Sequence, residues 1–274
     1  MTVLGRLAAT PHEKVWGSPH TEPWYRNSEG RSIGEVWFRG SDEVPLLVKF
    51  LFTTGKLSVQ VHPGDDYARE HEHSRGKTEM WHILRAEEGA QVALAPREPI
   101  QPERLREASL TGEIEHLLRW VPARAGDTFF IPAGTIHALG AGLILCEVQQ
   151  LSDVTYRLYD YGRAAGAEPR ELHLDHGLAV AHCEPFEGRV KAVPLGEGRE
   201  LLAECDYFRT ERLIVEGFVE CLAPVKNTLY IALEGEGEIG GQAFRAGEGF
   251  EVVAGTGPFR ISSPSATFLI TAEP

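Results

Sequence analysis

Residues 57–63 read LSVQVHP, an alternation of apolar and polar side chains that ends in a proline. In a strand, successive side chains point to opposite faces, so Leu57, Val59 and Val61 are expected on one side and Ser58, Gln60 and His62 on the other. A strand with an apolar back and that front lines a cavity. Two later segments supply partners: residues 76–81, GKTEMW, and residues 126–137, GDTFFIPAGTIH. Together they offer Gln60, His62, Glu79 and His137, a mixed nitrogen and oxygen donor set suited to a divalent transition metal that keeps positions open for a substrate.

The rest of the composition bounds what such a site can serve. The 274 residues suffice for one large β domain or two smaller ones. A formal net charge of -13 with no basic cluster argues against a nucleic-acid partner, since phosphate backbones are held by grouped Lys and Arg. An anionic substrate must then be met by a few locally placed cations. The start of the chain has no apolar run of signal-peptide length, and no segment approaches the roughly 20 apolar residues of a membrane span. A cytoplasmic protein is expected. Cys146, Cys183, Cys205 and Cys221 form no CxxC pair and are read as reduced thiols.

Along the chain, residues 45–52 (PLLVKFLF) predict a buried strand with Lys49 inside it. The segment PGDDYAREHEH predicts a short helix capped by Asp65 or Asp66, with His71 and His73 on its solvated surface. KTEMWHIL predicts a strand with Lys77, Glu79 and Trp81 on one face and Thr78, Met80 and His82 on the other. Residues 103–121 predict one or two short helices, and residues 171–182 another. Glu147, Gln149, Asp153, Thr155 and Arg157 share parity, which would place all five on one face of an unbroken strand. Residues 184–200, rich in Gly, Pro and charge, read as a linker between a module at 1–183 and one at 201–274.

The two parts share a repeat. Residues 126–134 (GDTFFIPAG) align with 247–255 (GEGFEVVAG): both begin glycine-acid, carry aromatic and β-branched residues, and close on Ala-Gly. Three residues past the closing glycine the first copy has His137 and the second Pro258. The second module is therefore expected to lack an equivalent ligand and to cover the first.

The spacing Gly126-x5-Pro132-x-Gly134-x2-His137 resembles the second metal-binding motif of the cupins, small double-stranded β-helix barrels. In order, LSVQVHP, GKTEMW, IPAGTIHALGAG and SDVTYRLYDYGR resemble the type I mannose-6-phosphate isomerases, a cupin family whose N-terminal segments are also similar to VWG and SIGEVW here. The resemblance implies a mainly β fold of two cupin-type barrels with a few short helices, the first binding metal and the second degenerate. It implies one zinc, or another divalent transition metal, on Gln60, His62, Glu79 and His137. It places the family's active-site lysine on Lys77, its arginine on Arg157 and its aspartate on Asp153, and its phosphate-side serine and strand lysine on Ser58 and Lys49. Longer members carry an inserted helical domain between the glutamate and second histidine ligands; here only 103–121 is available for it.

The activity implied is interconversion of mannose 6-phosphate and fructose 6-phosphate, with Asp153 or Lys77 moving the proton and Arg157 stabilising charge. A lysine beside a metal and Arg157 is expected to have its pKa lowered. Two other readings are a cupin isomerase or epimerase of another phosphosugar, such as glucose 6-phosphate, and a sugar-phosphate sensor without turnover. Retention of Lys77, Asp153 and Arg157 favours an enzyme, since a sensor needs phosphate cations but no proton shuttle. Neither a nucleic-acid nor a membrane partner is expected, and the oligomeric state is left open.

Overall fold

The computed structural model describes residues 4–165 and 168–274. The apolar run at 45–52 forms strand Leu46–Thr53, and all eight of its residues are buried. Both faces of this strand are covered. It lies inside a seven-stranded sheet ordered Arg189–Val190, Thr128–Ile131, Glu79–Ala86, Leu143–Gln150, Leu46–Thr53, Ile33–Arg39 and Ala9–Ser18. Facing it is a five-stranded sheet ordered Tyr156–Tyr159, Val59–Val61, His137–Leu139, Gln91–Pro96 and Leu118–Pro122. Every pairing in the two sheets is antiparallel, as in a barrel built from returning strands.

Period-two patterning sorts the side chains into layers. Leu51, Trp81, Ile83 and Leu145 from the seven-stranded sheet meet Val92, Leu94 and Leu139 from the five-stranded sheet inside the first barrel. The alternate residues Val48, Phe50, Met80 and Val148 face outward onto Leu202, Phe208, Leu229 and Ile231 of the second half. The back of the five-stranded sheet, Val59, Val61, Ala138 and Leu158, is covered by Leu105, Ala108 and Ile114. These come from helices Pro102–Thr111 and Ile114–Leu117. The expected helical stretch 103–121 is thus two short helices, but its last residues turn into strand Leu118–Pro122.

The second half forms a nine-stranded sheet curled around Leu213, Val215, Tyr230, Phe250 and Phe268. Strand Leu4–Arg6 from the chain start joins it, paired with Gly249–Val252. Residues 184–200 carry two short strands: Arg189–Val190 pairs with Thr128–Ile131 of the first sheet, and Val193–Gly196 with Arg199–Glu204 of the second. The repeat has a backbone basis. Gly126 and Gly247 both sit at φ 88°, each leading into a strand, and the closing Gly134 and Gly255 lie at φ 87° and 73°. No helix among the described residues is long and apolar enough to cross a membrane.

Three local expectations are corrected. Helix Asp65–Glu72 has Gly64 at its N-cap, with no side-chain cap bond. Asp65 instead accepts from Gly76 N (2.7 Å) and Gln150 Nε2 (2.9 Å), tying the helix to the sheet. Leu57 does not share a layer with Val59 and Val61: the strand starts only at Val59, and Leu57 joins the barrel interior. Glu147 and Arg157 lie on different strands, because the chain leaves the seven-stranded sheet after Gln150 and joins the five-stranded sheet at Tyr156.

Candidate metal centre and substrate cavity

Three strands bring the proposed ligands together. Gln60 lies opposite His137 in the register of Val59–Val61 with His137–Leu139, and Glu79 comes from the facing sheet. His137 follows a turn at residues 132–135 in which Gly134 N donates to His62 O at 2.8 Å, so the turn fixes both histidines at once. Gly134 is required there: a Cβ would meet the His182 ring at 2.6 Å, and its φ is left-handed.

The donor atoms converge. His62 Nε2 stands 3.5 Å from Glu79 Oε2, and His137 Nε2 stands 3.5 Å from Glu79 Oε1, with all three side chains 1% exposed. His62 Nδ1–H donates to Val154 O and His137 Nδ1–H to Thr135 O, each at 2.9 Å. Those bonds place the ring protons on Nδ1 and leave lone pairs on both Nε2 atoms. Burial holds both imidazoles neutral, His62 well below its ordinary pKa and His137 down to about 4. Two imidazole lone pairs therefore face the Glu79 carboxyl oxygens.

That arrangement is repulsive unless a cation sits among them. His62 Nε2 and Glu79 Oε1 are buried without a hydrogen-bond partner. Lys77 Nζ pairs with Glu79 Oε2 at 3.1 Å from outside the three donors, which leaves Glu79 Oε1 and His62 Nε2 unmet. Among the described residues, His62, Glu79 and His137 form the one group of His, Cys, Asp and Glu whose donor atoms can surround a metal ion. Gln60 is adjacent, with its amide Nε2 placed 3.2 Å from His137 Nε2. A half-turn of that amide presents Oε1 instead. The residues present fit a divalent metal of zinc type.

The cluster borders a cavity of about 250 Å³ whose walls include Ser58, Gln60, Lys77, His137, Asp153 and Arg157. Glu147, Thr155 and Lys49 also line it, so four of the five residues expected on one strand face still converge, although the strand is broken. Gln149 is the exception: it turns to the Gln150 and Ser152 carbonyls.

Charges alternate across the cavity. Lys49 lies 3.4 Å from Glu147 and 3.9 Å from Asp153, and Lys14 lies 3.4 Å from Glu35. Arg170 lies 3.3 Å from Asp160. Of the five cations lining the cavity, only Arg157 has no carboxylate within 4 Å among the described residues. Its Nη1 donates to Glu171 O at 2.9 Å, while Nε is buried without a partner.

The pKa expected for Lys77 is corrected. Burial works to lower it, but Glu79 and Glu147 outweigh burial and hold the ammonium above its ordinary range. Sequence reasoning did not assign Glu147, whose carboxyl accepts from Trp81 Nε1 at 3.0 Å. Burial and Glu79 push its pKa up against the pull of Lys77 and Lys49. Lys14, Glu35 and Arg170 were also missed. The parity of Glu35 with Trp37 on strand Ile33–Arg39 was the available signal, since Trp37 donates to Glu35 at 2.7 Å.

No family model matches the chain. Mannose-6-phosphate isomerase ManA of Bacillus subtilis is 36% identical over 251 residues, covering 85% of this chain and 79% of that protein. The chain belongs to the mannose-6-phosphate isomerase family. A mannose-6-phosphate isomerase of Streptococcus mutans is 37% identical over 202 residues, or 73% of this chain and 64% of that protein's length. This second alignment spans just under two thirds of that relative. The crystal structure of the mannose 6-phosphate isomerase from Bacillus subtilis superposes with a TM-score of 0.89 at 26% identity, covering 98% of this chain and 99% of that one. A zinc-bound holo mannose 6-phosphate isomerase has the same fold, with a TM-score of 0.77 at 16% identity over 98% of this chain and 99% of that one. The mainly β, cupin-type architecture expected from the sequence is that of the mannose-6-phosphate isomerase fold.

Proposed function

We propose that this chain interconverts mannose 6-phosphate and fructose 6-phosphate, using one zinc held by Gln60, His62, Glu79 and His137. The observation that carries the reading is the convergence of His62 Nε2 and Glu79 Oε1, both buried without a hydrogen-bond partner, beside a cavity that holds Arg157. Family membership supports the substrate. Residues 1–183 are assigned the site, residues 201–274 the role of a metal-free cover joined through 184–200, and the cytoplasm is the proposed compartment.

When bound, the metal polarises the sugar oxygens next to the reacting carbons and so eases loss of the carbon-bound proton. From the aldose, a base takes the C2 proton and returns it to C1, while the hydroxyl proton on O2 is lost and one is gained at O1. Asp153 is assigned this transfer: its carboxylate is 70% exposed at the cavity, with Lys49 3.9 Å away. Lys77, buried and ion-paired, is assigned as a cation that favours negative charge building on the sugar oxygens. Glu147 links Lys49 and Trp81 and holds these side chains in place.

Phosphate recognition is assigned to Ser58 with Arg157 rather than Lys49. Lys49 is engaged by two carboxylates, whereas Arg157 has none among the described residues. Ser58 lines the cavity beside Gln60, and Gln60 is the cross-strand partner of Arg157, so serine and arginine flank one position of the sheet. A coupled assay on the metal-loaded chain tests the reading. Conversion of mannose 6-phosphate to fructose 6-phosphate supports it; binding without turnover makes the chain a sensor, and preference for another phosphosugar reassigns the substrate.

A further inference from the structure

Strand Tyr156–Tyr159 is at the outer edge of its sheet, with only Val59–Val61 beside it. The other side of its backbone has no neighbouring strand in the ladder, which ordinarily leaves amides and carbonyls to solvent. At Arg157 a single residue takes that place. Arg157 N–H donates to His173 Nδ1 at 3.1 Å, and His173 N–H donates to Arg157 O at 2.8 Å. Two residues earlier, the Glu171 carbonyl accepts from Arg157 Nη1 at 2.9 Å. Main chain and guanidinium are thus gripped by one short segment.

His173 is also the N-cap of helix Leu174–Val180, yet its side chain makes no capping bond to that helix. The helix start is held by His173 O, which accepts from Gly177 N at 2.8 Å. The ring is turned to Arg157 instead. To accept at Nδ1 it must be neutral with its proton on Nε2. Burial, aided by the charge of Arg157, lowers its pKa and favours that form.

We propose that His173 is a positioning residue for Arg157: its Nδ1 fixes the backbone from which the one cation of the cavity's described residues with no carboxylate within 4 Å extends. The inference rests on the reading of Arg157 as the receptor for the substrate's negative charge. His173 touches no substrate in this account. Its effect passes through the arginine alone, so its removal matters only while Arg157 is present.

A double-mutant cycle on the metal-loaded chain tests this, with KM and kcat for mannose 6-phosphate measured for the parent, His173→Ala, Arg157→Ala and the double variant. Loss of one hydrogen bond that orients a charged group is expected to raise KM about tenfold in His173→Ala. In the Arg157→Ala background the same change should alter KM by less than about twofold, since independent sites add and coupled ones do not. His173→Asn, whose Oδ1 matches the position of Nδ1, should restore KM to within about threefold of the parent. If His173→Ala does not fold, His173→Gln, which displaces the acceptor, replaces it in the cycle. Amide exchange at residue 157, faster in the alanine variant and restored in the asparagine variant, reads the clamp without substrate. Equal KM changes with and without Arg157, or no rescue by asparagine, overturn the inference while the functional reading stands. A parent chain that neither binds nor converts mannose 6-phosphate overturns that reading, and this inference with it.

Discussion

Lys49 Nζ and Glu147 Oε1 face each other at 3.4 Å across adjacent antiparallel strands, with side chains 3% and 5% exposed. Each justifies burial of the other. Removing one leaves an uncompensated charge in the barrel, which typically costs about 3 to 5 kcal/mol, whereas replacing both with apolar groups can be close to neutral. Lys49→Met should therefore lower unfolding stability by several kcal/mol, and Lys49→Met with Glu147→Met should recover most of it. Denaturant unfolding of the two variants checks this. A single variant as stable as the parent would show that the pair does not govern its own burial.

His82 gives a pH dependence away from the metal cluster's face of the sheet. Its Nδ1 lies 2.9 Å from Thr128 Oγ1, and burial, aided by Arg212, lowers its pKa to about 4. The unfolded value is near 6.5, so on acidification the unfolded chain takes up the proton first. The resulting stability is fully present above about pH 6.5, is lost progressively as pH falls to about 4, and amounts to roughly 3 kcal/mol. Unfolding free energies measured between pH 4.5 and 7 should rise less steeply with pH in His82→Gln than in the parent. Identical slopes would mean that His82 does not supply this dependence.

What the sequence showed and what it hid follow from the range of the interactions. Strand Leu46–Thr53 and the shared face of Lys77, Glu79 and Trp81 were legible because a period of two is written locally, and both faces of the first strand are buried. The metal cluster was legible as a set of donors, but its decisive feature was not. Which ring nitrogen of His62 stays unprotonated depends on the Val154 carbonyl, 92 residues away. The break between Glu147 and Arg157 was hidden for the same reason: Leu151 N still meets Pro45 O in register at 2.8 Å, and the chain then leaves the sheet at Ser152, whose Oγ donates to Arg75 O at 2.8 Å, 77 residues away. The same contacts carry Asp153 to the cavity. Asp65 looked like a helix cap because capping is a local rule, whereas its partners Gly76 and Gln150 are set by the fold.

Ser58 is 4% exposed and lines the cavity. If its hydroxyl meets the phosphate, Ser58→Ala removes a charge-assisted hydrogen bond worth about 1.5 to 3 kcal/mol. KM for mannose 6-phosphate should then rise more than kcat falls. Steady-state kinetics decide it, and an unchanged KM would reduce Ser58 to a partner of Gln60.

Removal of the proton carrier should read differently. Asp153→Asn should lower kcat and kcat/KM together, by about 10² to 10⁴, the pattern of a group needed in the transition state. Lys77→Met should also depress kcat, while metal analysis of the Asp153 variant should show the parent's content. Full activity in both variants would rule out these roles.

A zinc titration of turnover tests whether one metal on Gln60, His62, Glu79 and His137 drives the isomerisation. The chain is stripped of metal, and conversion of mannose 6-phosphate is followed as zinc is returned, beside His137→Ala treated alike. Activity should be lost on stripping, return to a plateau at one zinc per chain, and stay absent in His137→Ala, whose open position loosens the remaining donors. Full turnover by the stripped chain, or recovery in His137→Ala at the same stoichiometry, would contradict it.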